Sequence, residues 1–187
     1  MNRVLMAFIV MLIVGCKDSE KADLNNSLWE FSSQNHQTAF DQACQPLLVN
    51  YQDFLKGVAG MDTAYLFNSA KNLATLIDSF PTVAISKDSL VSNQLQQGLV
   101  NIHAEIDGLL LENSWPEIYK ASNMISLQLI HLLGNAGYQL HTVYIFNTSS
   151  DLQEDGFQWL GLTKSSRDPY HPNHKELVVA QEVLQEN

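Results

Sequence analysis

The chain has little positive charge, little cysteine and no apolar run long enough to cross a bilayer. Ten lysines and arginines stand against 20 aspartates and glutamates, a formal net charge of −10. That balance excludes binding nucleic acid or anionic lipid head groups through a basic surface. Only two cysteines occur, Cys16 and Cys44. Two thiols support neither a disulfide framework nor a Cys-rich metal site. The uncharged apolar stretch Val4 to Val14 is too short for a transmembrane helix, since spanning takes ~20 residues. Phosphate-loop and dinucleotide fingerprints are missing, as is a nucleophile elbow. No catalytic constellation remains, so the sequence reads as a protein that is not an enzyme and needs no cofactor.

What is present at the start is informative. Arg3 precedes the apolar run, and Ile13-Val14-Gly15-Cys16 follows. A basic residue, a short apolar core and a small residue ahead of the cut are the parts of a secretory signal. The cysteine after the small residue resembles a bacterial lipobox. By that resemblance residues 1–15 are removed and Cys16 becomes the lipidated first residue. The alternative is an ordinary cleaved signal with an incidental cysteine. Lys17, rather than aspartate, follows the cysteine, and by resemblance to enterobacterial sorting this favours the outer membrane, facing the periplasm. The expected partner at this end is the membrane, reached through the lipid on Cys16. Removing 15 of 187 residues leaves 172, enough for one domain with its own core. With Cys16 acylated, Cys44 is the only free thiol and stability must come from packing.

Residues 16–37 are polar and read as a tether, interrupted by Leu28, Trp29 and Phe31. From position 38 the pattern becomes helical. Phe40, Cys44, Leu47, Tyr51, Phe54 and Val58 alternate steps of four and three, which places them on one face. Pro46 predicts a start near Gln45 or a kink, and Gly57 and Gly60 mark the end. A second stripe, Leu66, Ala70, Leu73, Ile77 and Phe80, follows Asp62 as N-cap and stops at Pro81. A third, Leu95, Leu99, Ile102, Ile106 and Leu109, follows Asp88 or Ser89. A fourth, Ile118, Ala121, Ile125, Leu129 and Leu132, opens at Ser114 with Pro116 in the first turn and Glu117 as a capping-box partner. Gly134 and Gly137 close it. Four amphipathic helices with short connections predict an all-α, antiparallel four-helix bundle spanning 38–187 with its tail.

After Gly137 the helical period is lost. Residues 140–146 are β-prone and predict a short extended segment. Asn147 to Gly156 is turn-like, and Arg167-Asp168-Pro169-Tyr170-His171-Pro172 is a stiff loop. His174 to Leu184 predicts a short final helix. The whole forms an irregular, partly extended C-terminal tail wrapped on the bundle.

Two segments together resemble a known domain family. The first is Tyr51…Leu55…Ala59…Asp62…Ala70…Leu73, a tyrosine-led helix, an Asp-containing turn and an Ala-rich helix. The second is Trp159-Leu160 followed by Arg167-Asp168-Pro169-Tyr170. They resemble an uncharacterised periplasmic domain found in envelope lipoproteins and fused to adaptors of copper/silver efflux pumps. The resemblance covers roughly Phe40 to Val183. It implies an envelope compartment and an efflux adaptor as partner. The family's Cys-Pro-Met run and its final Met and Cys-Gly are replaced by Tyr144 to Thr148 and Glu176 to Val183, which hold neither sulfur ligand. Cu(I) prefers such soft ligands, so copper binding does not carry over.

The remaining metal candidates are histidines. His171 and His174 lie three apart beside Glu176, and with His141 they offer a borderline site for zinc or Cu(II). Pro172 between them breaks helical geometry. Cys44 lies on a core stripe with no basic neighbour and reads as an inert thiol. His103 reads as exposed or hydrogen-bonded at the bundle edge, and Glu105, Asp107 and Glu112 as solvated. The sequence thus predicts a lipid-anchored envelope binding or accessory module. The alternatives are a lipoprotein binding metal through His141, His171 and His174, and a scaffolding lipoprotein with no small ligand.

Overall fold

The computed structural model describes residues 34–86, 88–148, 156–173, 177–179 and 182–183. Cys16, the tether aromatics and His174 lie outside these. Four long helices and one short one come first: α1 Gln34–Gly60, α2 Thr63–Asp78, α3 Thr82–Ile85, α4 Ser89–Leu109 and α5 Trp115–Ala136. Five short strands follow: β1 Tyr144–Asn147, β2 Gln158–Gly161, β3 Ser165–Arg167, β4 Leu177–Val179 and β5 Glu182–Val183. Helix α1 begins at Gln34, inside the stretch expected to be tether. Among the described residues no helix is long and apolar enough to cross a membrane.

The local signals act mostly as their chemistry dictates. Asp62 caps α2 by accepting the Tyr65 N–H at 3.0 Å, and Asp88 caps α4 through Leu90 N–H at 2.8 Å. Ser114 makes no side-chain cap on α5. Pro116 occupies the second helical position, so one of the two amides an N-cap oxygen normally reaches is missing. Helix α5 runs past Gly134 and ends at Gly137, whose φ of 65° is left-handed. Tyr138 N–H then reaches back to Leu133 C=O at 3.0 Å, closing the helix end. Pro46 sits within α1 on its exposed face. Gln42, four residues back, whose carbonyl loses its amide partner, is also exposed, and the helix continues through the proline. Gly57 allows α1 and α2 to touch, because a Cβ there would lie 2.7 Å from the Leu66 Cα.

The stripes make the core. Phe40, Cys44, Tyr51, Phe54 and Val58 of α1 are wholly buried, as are Leu66, Ala70 and Leu73 of α2 and Leu95, Ile102 and Ile106 of α4. Helix α1 packs on α2, α4 on α5, and α2 on α4.

The all-α four-helix bundle is nevertheless not what forms. A closed bundle needs α1 packed along α5. Here the chain after α5 enters as β structure and β2 packs on α5, while α1 meets α5 at the buried Tyr51–Ser126 hydrogen bond. Two antiparallel sheets are present, one ordered β2-β1-β5 and one pairing β3 with β4. In the first, Tyr144 faces Gly161, Ile145 faces Leu160 and Phe146 faces Trp159. The helix expected over His174 to Leu184 is also replaced. Leu177–Val179 pairs with Ser165–Arg167, and Glu182–Val183 pairs with Tyr144 and Ile145. Val178, Val179 and Val183 are β-branched, and partner strands supply the hydrogen bonds a lone final helix would have had to make alone.

Candidate functional site

The tail is held by polar side chains on α1 and α5 that meet the open edge of β2. Thr148 N–H donates to Phe157 C=O at 2.8 Å, which sets the ladder so that Gln158 and Leu160 point their backbone groups away from β1. All four outward groups are met by side chains. Gln158 N–H donates to Asn123 Oδ1 at 2.7 Å, and Gln158 C=O accepts from Tyr170 Oη at 3.4 Å. Leu160 N–H donates to Tyr51 Oη at 3.3 Å, and Leu160 C=O accepts from Gln52 Nε2 at 3.1 Å. An edge strand is thereby closed without another strand.

Tyr51 Oη also lies 2.6 Å from Ser126 Oγ, which lies 3.2 Å from Tyr170 Oη and donates to Ser122 C=O at 3.0 Å. With Ser126 donating to that carbonyl, Tyr51 donates to Ser126 and accepts from Leu160. Burial holds the Tyr51 and Tyr170 phenols well above the ordinary value, so both stay neutral and act as hydroxyls. Aromatic rings pack around them. Phe146 stacks on Trp159 with centroids 5.4 Å apart, and Phe157 meets Tyr170 at 4.7 Å. Trp159 is wholly buried. These contacts fasten the tail to α1 and α5.

Of the predicted metal residues, His141 and His171 are described, and each has another partner. His171 Nδ1 bonds Asp168 Oδ2 at 2.9 Å, and the Asp168 side chain is fully buried. Its other oxygen accepts Tyr170 N–H at 2.8 Å. His141 Nε2 instead lies 3.5 Å from Gln45 Nε2 of α1, at the surface. His174 falls outside the described residues, as does Cys16. Among the described residues no group of three His, Cys, Asp or Glu side chains is placed to hold a metal ion. Cys44 is fully buried, and burial followed by the nearby Asp41 carboxylate pushes its thiol up, consistent with an inert core residue. Asp41 itself accepts from Gln139 N–H at 3.1 Å and Gln37 Nε2 at 3.0 Å, anchoring the α5 exit to α1.

A second polar spot lies on α2 and α4. His103 Nε2 is 3.4 Å from Asp78 Oδ1, and its Nδ1 is 3.3 Å from Asp107 Oδ2. The sequence left His103 exposed or hydrogen-bonded at the edge and did not point to Asp78. The i, i+4 spacing of His103 and Asp107 was the available signal. For Tyr51, Gln52 and Asn123 there was no comparable signal, because their backbone partners lie 35 to 109 residues away, and Ser126 meets the Tyr51 and Tyr170 hydroxyls 75 and 44 residues away.

No family model matches this chain, and neither a curated protein nor a solved structure does.

Proposed function

We propose that this protein is a non-enzymatic, lipid-anchored module of the bacterial envelope, attached through Cys16 to the outer membrane on its periplasmic side. It binds or assists an envelope partner, an efflux adaptor in the first instance. The observation that carries the reading is the uncharged run Val4 to Val14 closed by Gly15-Cys16. An h-region of that length followed by a small residue and cysteine suits export and acylation. The Trp159-Leu160 and Asp168-Pro169-Tyr170 segments, with their resemblance to the efflux-associated domain, support the partner. Tyr51, Gln52, Asn123 and Ser126 are spent on holding the tail, which supports a structural rather than a catalytic part for them.

Acylation is tested by growing cells on labelled palmitate. The wild-type chain takes up label, and Cys16→Ala takes up none and accumulates as the uncleaved precursor. Label on the Cys16→Ala chain sinks the anchoring. The partner is tested by cross-linking in intact cells followed by purification. An efflux adaptor bound covalently to the protein is expected, and its absence from the cross-linked products overturns that half of the proposal.

A further inference from the structure

The chain from Cys16 enters the fold at Gln34, the first residue of α1 and eighteen positions beyond the cysteine. Three contacts fix what else lies at that end. Gln37 Nε2 donates to Gly137 C=O at 2.7 Å, which brings the end of α5 there. Phe40 meets Phe80 with ring centroids 6.2 Å apart, which brings the end of α2, and α3 after it packs on α1. Gln94 of α4 lines one groove with Asn135 of α5, so the first turn of α4 lies there too. The α1–α2 and α4–α5 turns, at residues 61–62 and 110–114, stand at the opposite end.

The corner made by α3 and the start of α4 is apolar on its outside. Thr82 and Ile85 turn inward, while Pro81, Val83 and Ala84 are exposed. Val83 is 76% exposed, and Leu90, in the first turn of α4, is 66% exposed. Among the described residues from 81 to 90 the one charge is Asp88. Its carboxylate accepts Leu90 N–H at 2.8 Å, where the partial positive charge of the helix start answers it. A single exposed aliphatic residue is ordinary. Four outward apolar residues within ten positions, at the end where the anchored chain enters, make a surface suited to lipid.

Distance favours this end over the other. A flexible tether of eighteen residues spans about 25 Å on average, whereas the 27 residues of α1 extend about 40 Å. The α1 start is thus held close to the anchor, and the two helical turns lie beyond the tether's average reach. Tethering also makes the contact intramolecular, so a surface too weak to bind a bilayer from solution meets it at high effective concentration.

We propose that the α3–α4 corner rests on the lipid surface that anchors the chain, with Pro81, Val83, Ala84 and Leu90 at the boundary between head groups and acyl chains. The molecule then stands with its α1–α2 and α4–α5 turns away from the membrane. The inference rests on the anchoring through Cys16.

The test imposes the anchor chemically, so that its outcome is separate from whether cells acylate Cys16. The chain from position 16 is made without lipid and coupled through the Cys16 thiol to a maleimide lipid in phosphatidylcholine vesicles; Cys44 is fully buried and does not compete. Hydrogen exchange is compared with and without vesicles. Exchange across residues 81–91 should slow by about threefold or more on the vesicles, and exchange at 58–64 and 109–115 should not change. The Val83→Glu, Leu90→Glu double variant should keep its far-UV spectrum and lose the slowing. Leu111→Glu, at an 83% exposed site on the far end, should retain it. Slowing confined to the helical turns, slowing kept by the double variant, or none at all overturns the proposal. Slowing of 81–91 that appears without vesicles as protein concentration rises also overturns it, because a second copy then covers the corner.

Discussion

The helices and the C-terminal strands bury comparable side chains, yet they are held by different means. Residues 63–78 and 89–109 satisfy their own backbones, and their apolar stripes need only a facing surface. Strand β2 has four residues and an open edge, and it is stable where it is because four helix and loop side chains complete that edge. A helix carries its hydrogen bonds with it, whereas a short strand borrows them. The tail is therefore the part of the molecule that single polar substitutions can loosen.

The largest expected effect tests whether the tail is core at all. Trp159→Ala removes the largest wholly buried side chain and its stacking on Phe146, and should cost about 3–5 kcal/mol in denaturant melts. A loss under about 1 kcal/mol would mean the tail is an appendage to a self-sufficient helical core.

Helix cores provide the other side of the comparison. Leu73→Ala and Ile102→Ala, both at wholly buried positions, should each cost about 2–5 kcal/mol. Hydrogen exchange should rise across α2 and α4 together, since the two helices share one core.

Tyr51→Phe sharpens the contrast, because it leaves shape intact and removes one hydroxyl. Leu160 N–H then loses its partner and Ser126 loses another. The expected cost is about 1–3 kcal/mol, the penalty for a buried donor left unmade. Exchange of the Gln158 and Leu160 amides should accelerate while the α2 and α4 amides stay as they were. If all amides accelerate alike, tail and helices form one cooperative unit and the distinction fails.

The smallest effect is a pH dependence. Burial raises the Tyr51 and Tyr170 phenols, and burial followed by Cys44 and Asp41 pushes Tyr138 up to about 12. These groups are neutral in the fold and ionise near pH ~10 in the unfolded chain. Their contribution is thus complete below pH ~10 and is lost as pH rises toward the folded values. Denaturant midpoints should be flat from pH 7 to about 9.5 and fall above it, with tyrosinate absorbance from Tyr51, Tyr138 and Tyr170 appearing only as the chain unfolds. Tyrosinate absorbance from all six tyrosines at pH ~10.5 in the folded protein would show the phenols to be accessible.

The helical stripes were legible because period 3.6 is written in consecutive residues. Phe40 to Val58, Leu66 to Phe80 and Leu95 to Leu109 all turned inward where the spacing put them. Asp62 and Asp88 were legible as caps because a cap acts on an amide two or three residues away. The β tendency of residues 140–146 was also local, and β1 overlaps its second half and runs one residue beyond it, to Asn147. The closure of the fold was not legible in this way. Whether Leu177 to Val183 forms a helix or strands depended on Ser165 to Arg167 and on Tyr144 being available as partners. Whether α1 packed on α5 depended on β2 standing at that junction, bonded to Tyr51 and Gln52 of one helix and Asn123 of the other. The polar spot on α2 and α4 joined Asp78 to His103 by the same kind of distant meeting. The sequence by itself determined the four long helical stripes and which of their faces would be apolar, because those follow from neighbours along the chain. Only the tertiary structure decided what covers the last open face, because hydrogen bonds and charges on separate elements have no energy until folding brings them together.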